Sequence, residues 1–543
     1  LELRAAGRLQ RREEGTMIRV REITILPEQG MDRIRYEAAR LLKVPAGKIR
    51  EITVVRRSVD ARKKPEVRLS YTVDVRVDGN EKKILAHSGC RRAEIAPVYR
   101  YQVPKLPRGE TRPVVVGFGP AGMFAALVLA MAGQCPLVLE RGDDVATRKR
   151  KVEAFQAGGA LDPRSNVQFG EGGAGTFSDG KLNTGVNNPR IHWILERFVE
   201  AGAAEEILSD AKPHVGTDVL VRVVESIRHQ IEALGGEVRF RTQVTDFLLE
   251  DGTLTGLRTD SGEEISFTQA IFAIGHSARD TFRMLEARGV PMEPKPFAMG
   301  VRIEHLQKNI NFAQYGGENP HLPPADYKLV EHLPDGTVYT FCMCPGGYVV
   351  AAASESGGVV TNGMSNSDRG GENANAALLV TVKPEEFPYP GTLGGMRWQR
   401  EIEEKAYALT GSYRAPAQTL GDFLAGRKSN GPGAVSPTYR PGVYWCDLHQ
   451  VLPERITRSL EKAIPGLDGK LHGFADPSAV LTAPETRSSS PVRILRGDNR
   501  QSAVAGLYPT GEGAGYAGGI MSAAIDGMLT AEAILQTLQE EKR

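Results

Sequence analysis

Pro113-Val-Val-Val-Gly-Phe-Gly-Pro-Ala-Gly-Met-Phe-Ala-Ala-Leu-Val-Leu-Ala130 decides how the rest of the chain is read. Three β-branched residues, Val114 to Val116, have the character of a short strand buried on both faces. Gly117, Gly119 and Gly122 then form G-x-G-x-x-G where strand gives way to helix. Gly117 permits the tight turn, Gly119 lets backbone approach a pyrophosphate, and Gly122 lets the helix lie close to the strand. The helix start offers free N–H groups and partial positive charge to phosphates. A second apolar strand, Pro136 to Leu139, ends in Glu140, 23 residues past Gly117 and near the spacing of a ribose-binding carboxylate. Strand, glycine turn, helix, strand and acid together predict a dinucleotide site.

Outward from this unit, the chain of 543 residues has room for two or three domains. No run reaches the roughly 18–20 apolar residues of a membrane span; the longest is Met123 to Ala132, inside the nucleotide motif. The first residues are Arg-rich and lack the apolar segment of a secretory signal. Residues 1–16 read as a tag or upstream sequence ahead of Met17. Five scattered cysteines (Cys90, Cys135, Cys342, Cys344, Cys446) suit a reducing cytoplasm better than a disulfide scaffold. No His and Cys spacing fits a metal site.

Charge divides the chain. Residues 17–105 carry 21 basic and 11 acidic side chains, and the remainder is acidic. A basic appendage on an acidic body suits an anionic partner or a solvated surface. Here strands over Met17–Ile25, Ile49–Val55 and Val67–Val77 and a helix over Met31–Leu42 predict a small α+β domain, closed by a Pro-rich linker near 103–113. The expected division is 17–105 for this domain, 106–293 for the first part of a Rossmann-type α/β domain, 294–470 for an inserted α+β substrate domain, and 471–543 for the second part.

The first part continues into Gly170-Glu-Gly-Gly-Ala-Gly-Thr-Phe-Ser-Asp-Gly-Lys181, whose glycines suit backbone passing close to a ligand. Asp251-Gly252 marks a hairpin. Ala270 to His276 reads as a buried strand ending at Gly275. From about 294 the β-α-β rhythm is lost. It returns at Ala505 to Gly511, followed by Glu512, more glycines and a helix from Ile520. Gly513-Ala-Gly-Tyr-Ala-Gly518 also fits G-x-G-x-x-G, but no strand bearing a ribose acid follows its helix. It therefore reads as a terminal flavin motif, with the helix dipole aimed at charge on the ring. Any NAD(P)H is then a transient visitor.

With the glycine motif, the Gly170–Lys181 loop, Asn362-Gly-Met-Ser365, Glu485-Thr-Arg-Ser-Ser-Ser-Pro491 and Thr510-Gly-Glu-Gly-Ala-Gly-Tyr-Ala-Gly-Gly-Ile520, the chain resembles bacterial NAD(P)/FAD-dependent oxidoreductases. The resemblance implies FAD in a glutathione-reductase-like fold. Its implied cofactor neighbours are Gly117, Gly119, Gly122, Glu140, Gly173, Lys181, Gly511 and Gly519. Pro120, Ala121, Arg141, Gly172, Thr176, Ser178, Val244, Gly275, Glu512, Gly518 and Ile520 complete the candidate set. The expected activity is flavin hydride transfer on a small, anionic molecule. An RNA-modifying flavoprotein and a non-catalytic flavin scaffold are the alternatives.

No cysteine pair stands near the first glycine motif, where glutathione-reductase-type enzymes carry theirs. The substrate site is expected where the inserted domain meets the flavin, from Arg302–His305, Cys342–Gly347, Asn362–Asn366 and Arg487–Arg493. Arg302 and Glu304 alternate onto one strand face, where they either pair together or meet substrate. Arg487 is the candidate anion-binding residue, His305 the candidate proton donor, and Cys344 a candidate thiol. Oligomeric state is not legible in the sequence.

Overall fold

The strand Val114–Val116 lies at the middle of a five-stranded parallel sheet in a computed structural model that describes residues 16–98, 101–109 and 111–540. The expected tag or upstream segment falls on residues 1–16, of which 1–15 lie outside the described residues. Across the sheet the order is Leu507–Pro509, Ala270–Phe272, Val114–Val116, Leu137–Leu139 and Glu237–Arg239. Every side chain of the middle three strands is buried, as a parallel sheet covered on both faces requires.

The helix Pro120–Met131 buries all residues from Ala121 to Ala130. It packs against the helix Ile520–Glu540, where a side chain at Gly527 would strike the Ala121 carbonyl. Strands Val244–Glu250, Thr253–Thr259 and Glu264–Ser266 form a small antiparallel sheet. Its hairpin turns through Asp251 (φ 47°) and Gly252 (φ 78°), the positive pair that a two-residue turn favours.

A seven-stranded sheet fills the stretch expected as an insertion. Its order is Val330–Leu333, Gly336–Cys344, Asn373–Val382, Phe297–Leu306, Val480–Glu485, Ala415–Thr419 and Val443–Trp445. The sheet runs to Glu485, beyond the expected boundary at 470, because Val480–Glu485 pairs directly with Phe297–Leu306. Phe297–Leu306 and Asn373–Val382 pair over ten residues and are buried almost throughout. Arg302, Glu304 and Asn375 nonetheless lie inside this core, so each needs a polar partner there.

The chain divides into two compact units, 102–187 with 215–310 and 326–543 forming the larger. The smaller contains the described residues as far as Tyr101 and also gathers in 188–214 and 311–325, which the sequence division had placed elsewhere. Its four-stranded antiparallel sheet has the order Ile49–Asp60, Arg68–Val77, Ile18–Ile25, Ala93–Ile95. Helix Met31–Leu42 lays Ile34, Ala38 and Leu42 into the same core as Ile18, Val20 and Val73. The helix Arg190–Glu200 joins this unit through Trp193, whose ring packs edge-on against Tyr101 at 5.1 Å.

Part of the basic surface of this unit is engaged within the unit itself. Arg33 and Arg40 flank Glu37, Arg57 meets Asp210, and Arg62 meets Asp60. Arg35 donates to the Ile49 carbonyl and Lys64 to that of Ala313. Among the described residues, no helix is long and apolar enough to cross a membrane.

Candidate functional site

Three glycine-rich segments, distant in sequence, meet above the parallel sheet. At Gly117 a side chain would strike the Ala273 carbonyl, and at Gly122 it would strike the Gly117 carbonyl. Both are glycine because neighbouring backbone occupies the space. Gly119 differs: the nearest atom to an added Cβ there would be the Gly173 Cα, 3.7 Å away. Gly119 is the N-cap of Pro120–Met131 and supplies no capping side chain, so the helix's first N–H groups remain available to an anion.

The loop Gly170–Lys181 packs onto this turn. A Cβ on Gly173 would come within 2.9 Å of the Gly119 Cα and 3.7 Å of Pro120, and one on Gly175 within 2.9 Å of Ile520. The terminal segment completes the enclosure. Gly511 abuts Ala121, and Gly513 is pressed against Gly275, while Gly518 and Gly519 face open space. An extended pyrophosphate-bearing ligand fits such a cradle: bare backbone, positive helix end and little side-chain bulk.

Glu140 is buried at the end of its strand. Its carboxylate accepts from the Phe118 N–H at 2.9 Å, Gly142 at 2.8 Å and Gly170 at 3.0 Å. Three of about four acceptor sites are thus used to join the two glycine segments, leaving one for a ribose hydroxyl. Glu512 meets His276 Nδ1 at 3.1 Å, and the buried His276 Nε2 has no partner among the described residues. Gly172 donates its N–H to the Phe118 carbonyl, and Thr176 is buried beneath it.

Other candidates stand aside from this cradle. Arg141 pairs with Asp280 and lies over the Phe169 ring at 4.4 Å. Val244 is a core residue opposite Thr259. Ser178 Oγ donates within its own loop to the Gly175 carbonyl at 2.6 Å. Lys181 turns toward the seven-stranded sheet, where its Nζ donates to the Met343 carbonyl and meets Asp179 at 2.8 Å.

Two supports of the cradle escaped the sequence reading. Arg148, fully buried, donates to the carbonyls of Asn166, Val167, Gly170, Glu171 and Gly173, fixing the shape of the glycine loop. Burial lowers its pKa to about 10, which leaves it charged at neutral pH. Asp526 accepts from the Gly511 N–H and Thr510 Oγ1 and pairs with Arg496 and Arg500. An acid set among apolar residues in the first half of the last helix was the available signal for the second. Arg148→Met is expected to lower FAD affinity by about 100-fold or more, since each buried carbonyl left unmet costs about 1–3 kcal/mol. Flavin retention after gel filtration, with circular dichroism to verify folding, checks this.

A second polar cluster lies at the far end of the glycine loop. Arg302 holds Glu485 through Nε at 2.8 Å and Nη2 at 3.1 Å. It also donates to the Cys342 carbonyl, Asn375 Oδ1 and Asn362 Oδ1. Glu304 accepts instead from Asn373 and Thr438, so Arg302 and Glu304 share a face without pairing. Asp179, fully buried, accepts from Lys181, Arg369 and Ser365. Burial would raise its pKa, but the Lys181 and Arg369 charges outweigh that and hold it well below the carboxylate range. The Nδ2 of Asn375 and Oγ1 of Thr482, both fully buried, have no partner among the described residues.

Two of the three catalytic candidates, His305 and Arg487, are corrected by their surroundings. His305 occupies the opposite strand face from Arg302, with its Nε2 2.8 Å from the Phe474 carbonyl. Burial lowers its pKa, so it is a neutral core residue rather than a proton donor at the site. Arg487 is not free for an anion: it grips Glu403 through Nε at 3.0 Å and Nη2 at 2.9 Å and donates to Ser354. Glu403 is gripped from its other side by Arg279. Cys344 is fully buried, and its thiol pKa is raised first by its hydrogen bond to Cys342 and then by burial. The half-buried Cys342 is the thiol whose surroundings favour the anion.

This arrangement is that of an FAD-dependent protein, with its substrate unassigned, and the chain belongs to one family with an uncharacterised protein matched over nearly its whole length. The family described as FAD-dependent protein, C-terminal domain-like matches residues 296–488, nearly the extent of the seven-stranded sheet. A domain of unknown function matches residues 17–76. An uncharacterised protein of Clostridium beijerinckii is 45% identical over 528 residues, covering 96% of this chain and 98% of its own. Among solved structures, a geranylgeranyl bacteriochlorophyll reductase-like protein from Thermoplasma acidophilum is 12% identical, with a TM-score of 0.37 over 80% of each chain. The L-proline dehydrogenase of P. horikoshii is 13% identical, with a TM-score of 0.33 over 80% of this chain and 94% of its own.

Proposed function

We propose that the protein carries out two-electron chemistry on a small anionic molecule bound between the glycine loop and the seven-stranded sheet. Bound FAD supplies the redox chemistry. The carrying observation is that one continuous loop serves both places: Gly173 and Gly175 stand against the first glycine turn and Ile520, and Lys181 stands against Met343. The Gly119 helix end binds the pyrophosphate, Glu140 takes a ribose hydroxyl, and Glu512 with His276 meets the chain leading to the ring.

An anionic substrate is supported by the three cations Arg302, Lys181 and Arg369, which gather here beside Asp179, Glu485 and Glu304. The unpartnered Asn375 Nδ2 and Thr482 Oγ1 supply polar contacts in the same region. NAD(P)H, with no second complete nucleotide unit to hold it, acts as a passing electron donor. For the nucleic-acid alternative, Arg33, Arg40, Arg57 and Arg62 of the smaller unit are engaged by acids and Arg35 by a carbonyl, which leaves fewer cations for phosphates.

The decisive experiment is an anaerobic screen of small carboxylates, phosphates and neutral analogues, read by the flavin spectrum. With a substrate in hand, Lys181→Met is expected to lower kcat/KM by about 10- to 100-fold, the value of a hydrogen bond to a charged group. It should leave bound FAD unchanged. Substrates confined to neutral molecules, or a variant with unchanged kcat/KM, would overturn the anionic site.

A further inference from the structure

Cys342 has an unusual setting that the flavin chemistry does not require. It sits at a β-bulge, where the register with Asn373–Val382 shifts between Phe341 and Cys344. Its φ is 42°, a left-handed conformation that costs a non-glycine residue about 1–3 kcal/mol. Cations hold two successive carbonyls: Arg302 takes that of Cys342 at 2.9 Å, and Lys181 takes that of Met343. The two cysteines stand two positions apart at this bulge, with only Met343 between them. Cys344 donates its S–H to the Cys342 carbonyl oxygen at 3.3 Å, which sets its sulfur against the backbone of Cys342.

We propose that Cys342 and Cys344 form a redox-active dithiol that exchanges with a low-molecular-weight disulfide, Cys342 attacking and Cys344 resolving. This rests on the reading of the same chamber as the substrate site. The assignment follows from geometry. Cys342 is half-buried and within reach of a small molecule, whereas Cys344 is fully buried behind it.

The surroundings agree with those roles. The Cys344 hydrogen bond lowers the Cys342 pKa most; burial opposes this, Arg302 and Lys181 reinforce it, and Asp179 opposes it. Glu485, paired to Arg302, is the remaining carboxylate facing the thiols. A lowered pKa keeps Cys342 nucleophilic as pH falls, until the medium drops below that pKa.

The exchange balances in two steps. The Cys342 thiolate attacks one sulfur of R–S–S–R, forming a Cys342–S–S–R bond and expelling R–S⁻. Cys344 then loses its proton and attacks the Cys342 sulfur, forming the intrachain disulfide and expelling the second R–S⁻. Both leaving thiolates take up protons in water. The protein dithiol is oxidised by two electrons and the small disulfide is reduced to two thiols. The pair is thus a two-electron couple in a chain whose cofactor is itself a two-electron carrier.

The test uses the full-length flavoprotein. After reduction and desalting, limited iodoacetamide is added at pH of about 6, and each cysteine is followed by mass spectrometry. Cys342 is expected to react about tenfold faster than Cys90 or Cys135, the other half-buried thiols. With glutathione disulfide, the wild type should release two equivalents of thiol and yield a peptide in which Cys342 and Cys344 are joined. Cys344→Ser should stop at one equivalent with glutathione on Cys342, and Cys342→Ser should release none from this site. Equal alkylation rates, or a Cys342→Ser protein that still releases two equivalents, would overturn the proposal. Wild type that exchanges normally while no small molecule reacts with its flavin would overturn the flavin-substrate reading of the chamber and leave the dithiol standing. Undiminished flavin turnover in Cys342→Ser, with no exchange in the wild type, would do the reverse.

Discussion

Gly119→Asp is expected to yield a folded protein that no longer binds FAD. The site leaves a Cβ 3.7 Å from its nearest neighbour, so the protein itself tolerates the side chain. The new carboxylate stands at the helix N-terminus, where the cofactor's pyrophosphate would lie. Like charges in contact cost several kcal/mol, so affinity should fall by about a thousandfold or more. Gly122→Ala is the control, because its methyl group drives into the Gly117 carbonyl and disturbs the fold as well as the cofactor. The pair separates a cofactor position from a packing position. Full flavin content in Gly119→Asp would place the pyrophosphate elsewhere.

Glu403→Gln should be the most destabilising single substitution among the buried ion pairs. The Glu403 carboxylate is fully buried and grips Arg279 and Arg487, whose side chains are 2% and 3% exposed. Thr486 adds a hydroxyl donor at 2.7 Å. Removing the charge leaves two buried guanidiniums to share Glu355, so the loss should be about 3–5 kcal/mol in denaturant unfolding. A second change, Arg487→Met, should recover part of it by removing one orphaned cation; a double variant no more stable than Glu403→Gln would refute the network. Burial would raise the Glu403 pKa, but the two arginines dominate and hold it far below the carboxylate range. Its folded pKa therefore lies below the unfolded value of about 4.3. Its contribution is complete above that value and is lost as pH falls toward the folded one. Wild-type stability should decline more steeply than that of Glu403→Gln below about pH 4.

The glycine turn, its strands and the acid at Glu140 were legible because their spacing is local and fixed by backbone geometry. The supports of that turn were not. Arg148 reaches carbonyls 18 to 25 residues away, and nothing in its own helix announces that it points inward. Arg487 had the chemistry of an anion-binding residue, but its partner Glu403 lies 84 positions earlier on another element. His305 is different, because the needed signal was present. The alternation that puts Arg302 and Glu304 on one face sends His305 to the other. At Cys342 alternation fails, because a bulge is a tertiary accommodation with no local sequence mark there.

The packing of helix Ile520–Glu540 on Pro120–Met131 also bears on biosynthesis. The two helices start four hundred residues apart, and Gly527 is fitted to Ala121. Translation at about 5–20 residues per second separates their emergence from the ribosome by about 20–80 seconds. Throughout that interval the first helix, apolar on every side, lacks its cover, and the terminal wall of the nucleotide cradle does not yet exist. The nascent chain is therefore a natural chaperone client, and cofactor loading is confined to the period after the last helix has been made.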